Sequence, residues 1–322
     1  MIVVLAAIVA AGIVLPHVLR LQRVPPVTAT VLWLSSLALR ALAGVLGVIY
    51  LLFFLPGTQL FAALTHWCLH EALPVVAMEL HFEGHDLGDL ALLLPGVALA
   101  VSLLYICIRT ARDAHRARDI VEHHVVGAGP RNSLIVSGPE VLFAVAGLAR
   151  PRIVVSAGAL TCLDDDELGA ALDHEQAHIV RRHRFVMLLA VAFGALGRAI
   201  PGSARAVREL GFHLERDADR WALRQRNDRL ALASVICKAA TSETSGHAAL
   251  AGLGTTGVRE RLGQLLDDQP TRHARPTAAA LNGLATAMVI CTLLLAATVP
   301  TAAVAGVAGE AHQAHHGQHC EH

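Results

Sequence analysis

The stretch that decides the fold is Ala171-Leu-Asp-His-Glu-Gln-Ala-His-Ile-Val-Arg-Arg-His-Arg184, which is typical of a helix and contains the pattern H-E-x-x-H at His174, Glu175 and His178. Two histidines at this spacing lie one turn apart on the same helix face, so both rings can bind one zinc ion. Glu175 lies between them, where its carboxylate can take a proton from a water molecule that zinc has acidified. The stretch therefore predicts a hydrolytic zinc site.

A third protein ligand is expected from a later helical stretch, Glu215-Arg-Asp-Ala-Asp219. Catalytic zinc sites keep three protein ligands, and Glu215 can complete a set of two histidines and one glutamate. Asp219 lies one turn after Glu215, where it can orient a ligand histidine, as such sites usually require. The long motif with a third histidine does not apply, because the position where that histidine would stand is Arg184.

The composition indicates membrane-spanning segments combined with a globular part. Hydrophobic residues make up 54% of the 322-residue chain, and its mean hydropathy is +0.53. Residues 109–275 hold 22 arginines and the only lysine against 19 acidic residues, whereas residues 57–90 and 300–322 hold seven acidic residues and no lysine or arginine. By the positive-inside rule, the arginine-rich part is cytoplasmic. The six cysteines occur singly, which indicates neither a zinc ribbon nor a disulfide framework.

We expect a mainly α-helical, multi-pass protein of the cell membrane, with four transmembrane helices and a cytoplasmic α+β zinc domain. The predicted regions are a three-span region at 1–109 with an extracytoplasmic loop at 57–88, a cytoplasmic domain at 110–276, a fourth span at 277–299 and a tail at 300–322. The first three spans are placed at about 1–19, 31–55 and 90–108. Both termini are then extracytoplasmic. Arg40, in the second span, either snorkels from a long tilted helix or marks where the true span begins.

Within the cytoplasmic domain, the sequence predicts a polar helix at 110–128 and then a small sheet. Its strands are expected at Ser133–Ser137, Val141–Val145 and Arg152–Ser156, separated by glycine and proline. The last of these is our candidate for the edge strand that holds a substrate backbone in extended form.

Residues 185–200 are apolar enough to suggest a further span, but the spacing of the predicted ligands argues against it. Only 36 residues separate His178 from Glu215, too few for two crossings of about twenty residues each with turns. We therefore expect residues 185–200 to pack over the site or to lie along the membrane surface.

Together these features resemble the integral-membrane zinc peptidases of the BlaR/MecR antirepressor family. The resemblance covers roughly residues 1–300 and rests on the strands before Ala159-Leu160, on the two zinc motifs, on Val258-Arg-Glu-Arg-Leu262 and on the order of spans. It implies a gluzincin-like signalling protease that cleaves itself and, directly or indirectly, inactivates a cytoplasmic winged-helix repressor of the BlaI type, with no nucleic-acid contact of its own. It also implies that His174, His178 and Glu215 bind zinc, that Glu175 is the general base and that Asp219 supports a ligand.

One departure from that family concerns the stimulus. Family members that sense β-lactams carry a penicillin-binding domain whose serine lies in S-x-x-K, whereas here Ser234 precedes Lys238 at a different spacing. Direct acylation by a β-lactam is therefore excluded. Two alternatives stay open: a membrane quality-control protease of the HtpX type, which uses the same two motifs, and a non-catalytic metal-binding membrane protein. Glu175 argues against the latter, because a closed structural site has no use for a carboxylate beside its ligands.

Nine histidines are predicted to lie outside the membrane, where they could bind a second transition metal. They are His66, His70, His81 and His85 in the loop and His312, His315, His316, His319 and His322 in the tail. The loop histidines form two pairs with helical spacing, and no lysine or arginine near them repels a cation. Either these residues sense a metal, or a short histidine-rich tail binds metals adventitiously. The sequence does not fix the oligomeric state, and a homodimer is compatible with it.

Overall fold

A computed structural model describes residues 2–19, 21–53, 63, 84–147, 150–225, 228–242, 257–266, 279–284, 286–288 and 290. The helices are α1 Ile2–Val18, α2 Pro26–Phe53, α3 Gly84–His123, α4 Ala157–Cys162, α5 Asp165–Val180, α6 His183–Leu196, α7 Ser203–Gln225, α8 Arg229–Ser242 and α9 Val258–Leu266. The strands are β1 Val125–Ala128, β2 Leu134–Val136, β3 Phe143–Ala146 and β4 Arg152–Ser156. The part of the chain described is thus mostly helical with one small sheet.

The four strands form a single sheet in the order β1-β2-β4-β3. β2 and β4 are parallel, whereas β1 pairs with β2 and β3 pairs with β4 in antiparallel fashion. The prediction that 152–156 is an edge strand is therefore wrong, because β4 lies between two neighbours. Its apolar run Ile153-Val154-Val155 is buried, as expected of a strand covered on both faces. β1 and β3 are the two edge strands of this sheet, and β3 is the one that lies against α5.

The end of the predicted polar helix at 110–128 is also wrong. α3 is one continuous helix that includes the predicted third span at 90–108 and ends at His123, and Val125–Ala128 forms β1. The pair Val125-Val126 favours a strand, and pairing with β2 then decides the conformation of this segment.

One helix of the described residues, Pro26–Leu52, is long and apolar enough to cross a membrane. Shorter apolar helical runs occur at Val9–Val18, His183–Leu196 and Ala279–Met288. These findings are consistent with membrane association, and the count of four transmembrane helices stays a prediction. Most of the loop at 57–88 and the whole tail at 300–322 lie outside the described residues.

α2 packs against α6 and α7 and thereby joins the N-terminal region to the part of the chain that carries the predicted zinc ligands. Leu32 and Leu37 of α2 share a buried apolar cluster with Leu210 and Leu214 of α7. Arg40 neither snorkels nor begins the helix. Its side chain is buried inside the protein, where the guanidinium donates to Ser36 Oγ (2.6 Å) and to the carbonyl of Ile13 (3.1 Å) and contacts His17 Nε2 (2.7 Å).

The helix that carries H-E-x-x-H begins with a capping box. Asp164 accepts a hydrogen bond from the backbone of Glu167, and the Glu167 side chain accepts one from the backbone of Asp164. Glu167 is buried and also accepts hydrogen bonds from Ser234 Oγ (2.6 Å) and Lys238 Nζ (2.6 and 2.7 Å) of α8. Burial favours the neutral carboxyl, but these donors outweigh it and lower the pKa of Glu167. α8 therefore holds the start of α5 in place.

Replacing Lys238 with methionine is expected to destabilise the protein, because it leaves the buried Glu167 carboxylate without its cation. A loss of one partner of such a pair costs about 1–3 kcal/mol. Chemical denaturation of the detergent-solubilised protein measures this free energy of unfolding. Lys238→Arg, which keeps a cation, should lie closer to the wild type. Equal stability of Lys238→Met and the wild type would contradict this account of α8.

Candidate zinc site

The three predicted zinc ligands converge at the contact between α5 and α7. The Nε2 atoms of His174 and His178 are 3.2 Å apart, and the carboxylate of Glu215 lies 3.4 Å from the first and 3.6 Å from the second. One ligand atom from each residue can be chosen so that all lie within 4.8 Å of one another. A tetrahedral zinc ion with bonds of about 2.0–2.1 Å separates two nitrogen ligands by about 3.3 Å. The donor set therefore fits zinc.

Asp219 supports the first of these histidines from the side opposite to Nε2. Its Oδ1 lies 3.0 Å from His174 Nδ1, which leaves Nε2 directed towards the other two ligands. Burial lowers the pKa of His174, but the contacts with Asp219 and Glu215 outweigh it and raise that pKa to about 10. Binding of a metal ion at this ring therefore has to release a proton.

Arg261 of α9 lies between the two acidic residues of α7. Its guanidinium donates to both oxygens of Asp219, at 2.8 and 2.7 Å, and its Nη1 lies 3.0 Å from Glu215 Oε2. The arginine is buried, as are both carboxylates. Burial favours protonation of Glu215, but Arg261 and His178 outweigh it and lower its pKa to about 2. Glu215 is thus held as the carboxylate that a metal ligand has to be.

His178 is supported by a second histidine rather than by an acid. Its Nδ1 lies 3.1 Å from His183 Nδ1, and His183 Nε2 lies 3.2 Å from Asp217 Oδ2. With a metal ion at its Nε2, His178 would carry its proton on Nδ1 and donate to His183, and His183 would donate to Asp217. Burial lowers the pKa of His178 to about 3, which keeps this ring neutral.

Glu175 lies next to the ligands on α5. Burial raises its pKa to about 7, and the nearby carboxylate of Glu215 adds to that rise, whereas His174 opposes it. A general base works best when its pKa is near the operating pH. The residue is therefore suited to accept and return a proton at neutral pH.

Three further residues of this site, His183, Asp217 and Arg261, were not predicted from the sequence. All three lie in or beside the predicted motifs, but their roles depend on the fold. His183 meets His178 because Arg182, between α5 and α6, adopts a left-handed conformation (φ 54°) that turns the chain back. The available signal for Arg261 was its position on the apolar face of an amphipathic stretch, three residues after Val258 and four before Leu265.

The predicted extracytoplasmic metal ligands cannot be placed in the same way. His66, His70, His81 and the five tail histidines lie outside the described residues, and for His85 only its position in α3 is described. Within the described ranges, the group of metal-binding side chains that comes together is His174, His178 and Glu215.

Replacing His183 with leucine is expected to weaken zinc binding by about 10-fold to 100-fold, because His178 then loses the partner that fixes its ring. His183→Gln is the matched control, since an amide can accept from His178 and donate to Asp217. Competition with a chromogenic chelator measures the zinc Kd of the wild type and both variants. The same Kd for all three proteins would refute the role assigned to His183.

Comparison with known protein families agrees with this geometry. Residues 114–249, which are less than half of the chain, match the family model described as Peptidase family M48. The matched segment contains the H-E-x-x-H helix and Glu215 but ends before Arg261. No curated protein and no solved structure matches the chain. The match supports a metallopeptidase domain similar to family M48 in residues 114–249, and it does not extend to the antirepressor family.

Proposed function

We propose that this protein is a membrane-associated zinc endopeptidase. The observation that carries the proposal is the convergence of His174, His178 and Glu215 on one point while Asp219 and His183 occupy the other ring nitrogens. This arrangement directs both Nε2 atoms towards a common ion. A purely structural site would not need the adjacent carboxylate of Glu175.

The roles of the residues follow from their positions. Zinc held by the three ligands would act as a Lewis acid towards the scissile carbonyl and would acidify water. Glu175 takes the proton of the attacking water and delivers it to the leaving amine, so the same carboxyl serves first as base and then as acid. Arg261 keeps Glu215 and Asp219 ionised throughout, and His183 keeps His178 in the tautomer that a ligand requires.

An extended peptide is bound, in this proposal, along β3 rather than β4. β3 is the edge strand nearest to α5, and an edge strand offers backbone groups to which a peptide can add as a further strand.

The proposal includes a lipid bilayer as the surroundings of the N-terminal helices. Beyond α2, large apolar side chains of α3 are exposed over several turns, among them Leu94, Val97, Val101 and Leu104. An apolar surface of this size needs a partner, and hydrocarbon chains fit a face that continues into the basic segment Arg109–Arg118. The zinc domain would then lie on the cytoplasmic side and both termini on the other.

The finer proposal is a role in signalling, with self-cleavage and inactivation of a cytoplasmic winged-helix repressor as the output. It is supported by the resemblance of the motifs and of the order of spans. A second transition metal at the loop and tail histidines would be the stimulus. The match with family M48, rather than with the antirepressor family, favours as a second candidate a quality-control protease of the HtpX type.

Replacing Glu175 with glutamine is expected to abolish proteolysis while zinc stays bound, because the ligands are untouched and the base is lost. The full chain, reconstituted in lipid nanodiscs, would be incubated either with the winged-helix repressor or with an unfolded membrane protein. Mass spectrometry of the products and zinc analysis are carried out on the same samples. Cleavage of the repressor alone supports signalling, and cleavage of the unfolded protein alone supports quality control. Undiminished cleavage by Glu175→Gln would refute the mechanism.

The rate of peptide hydrolysis is expected to fall on the acidic side of neutral pH, because Glu175 has to be ionised to act as a base and burial raises its pKa above that of an ordinary glutamate. The pH dependence of kcat/KM for a fluorogenic peptide measures this limb of the profile. Zinc content is measured at each pH, since loss of metal would mimic the effect. A rate that stays constant from neutral pH down to the ordinary range of a glutamate would contradict the assignment.

A further inference from the structure

One edge of β3 pairs with β4, and this pairing determines which backbone groups of β3 point outward from the sheet. The backbone N–H of Ser156 donates to the carbonyl of Leu142 at 3.1 Å, so Leu142 faces β4. Backbone groups of a strand alternate in direction, and the groups of Phe143, Val145 and Gly147 therefore face away from β4. No strand in the described part of the chain pairs with this side.

Arg184 occupies part of that outward edge. Its Nη1 donates to the carbonyl of Val145 at 2.8 Å and to the carbonyl of Gly147 at 2.7 Å. These two carbonyls are the acceptors that the N–H groups of an added strand would use. The guanidinium thus takes the place of a partner strand at this end of β3. At the N-terminal end of β3, the backbone N–H and carbonyl of Phe143 both point away from β4, where an added strand could pair with them.

Arg184 also lies at the zinc site. It follows His183 in the chain, and it lines a small pocket together with His178, Gly211, Leu214 and Glu215. Its charge acts on Glu175 as well, where it favours the carboxylate. One side chain therefore borders both the edge on which a peptide would pair and the ligands at which that peptide would be cut.

From these contacts we infer that Arg184 is a specificity-determining residue that fixes the register of the bound peptide. The inference rests on the proposed peptidase function. With Val145 and Gly147 already accepting from Arg184, an extended peptide has the two backbone groups of Phe143 and the N–H of Val145 with which to pair. Pairing beyond Val145 is blocked, so one alignment of the peptide is selected. The competing explanation is that Arg184 only holds the start of α6 against the sheet.

Replacing Arg184 with methionine tests this inference through the positions of the cleaved bonds. The full-length protein in nanodiscs is incubated with oxidised insulin B chain, and the products are identified by mass spectrometry. Because only alternate residues of a strand can present the same backbone groups, Arg184→Met should add cuts displaced by two residues from those of the wild type. Arg184→Lys can still donate to both carbonyls and should keep the wild-type cuts. Arg208→Met, at an exposed arginine of α7, is the control.

A second readout does not depend on turnover. In the Glu175→Gln background, bound peptide should protect the amides of Phe143 and Val145 from hydrogen exchange, and the protected part of the peptide should lengthen when Arg184 is also replaced by methionine. Identical cuts and identical protection with and without Arg184 overturn the inference. Loss of all cleavage and of peptide protection in Arg184→Met, with zinc retained, overturns it too, because Arg184 would then be required for binding itself. A wild type that cuts nothing refutes the peptidase function, and the exchange experiment then decides the role of Arg184 alone.

Discussion

The buried ion pairs of Arg261 are the interaction on which the candidate zinc site depends. Asp219 and Glu215 are both buried, and a buried carboxylate without a partner is strongly destabilising. One guanidinium contacts both, so the acidic side chains outnumber the arginine by one. In the metal-free protein, the protonated ring of His174, whose pKa is raised to about 10, balances the remaining negative charge, and a divalent cation that displaces this proton takes over that balance. The ion pairs of Arg261 therefore stabilise the two buried carboxylates and also leave one negative charge that a metal ion can balance.

The candidate ligands could be proposed from the sequence because the relation within each pair is local. His174 and His178 are one turn apart, and the same spacing relates Glu215 to Asp219, so helix periodicity alone places each pair on one face. That the two pairs meet required the additional chemical argument that zinc needs a third ligand. Glu175 followed from its position between the histidines.

The supporting residues could not be predicted, because their relation is not local. Arg261 comes from a helix far along the chain. The position of His183 depends on the left-handed backbone conformation of Arg182, and an arginine, unlike glycine or asparagine, does not predict that conformation. The position of β4 inside the sheet was also not predicted, because an apolar run such as Ile153-Val154-Val155 does not indicate the order of the strands. In retrospect its continuous hydrophobicity favoured an interior strand, since an edge strand with one solvated face usually alternates.

The N-terminal region packs directly against the helices that carry the candidate zinc site. Arg216, the residue after Glu215, is buried and donates to the carbonyl of Gln22, between α1 and α2, at 2.7 Å and to Gln264 of α9 at 2.5 Å. Farther along, Gly44 of α2 lies so close to the carbonyl of Leu196 that a Cβ on it would be 2.7 Å from that oxygen. α2 is therefore in direct contact with α6 and α7, and its position is set by that packing as well as by its hydrophobicity.

The two ligand histidines differ in what supports them, and the difference has a chemical consequence. His174 faces a carboxylate, and its pKa is raised to about 10, whereas His178 faces the ring of His183, and the pKa of His178 is lowered to about 3 by burial. A metal ion arriving at neutral pH therefore finds one ring ready to bind and has to displace a proton from the other. The carboxylate of Asp219 also makes His174 the more basic ligand once that proton has left. The two supporting residues thus have different effects. His183 favours the tautomer of His178 that leaves Nε2 free for a metal ion, and Asp219 makes Nε2 of His174 the stronger electron-pair donor to that ion.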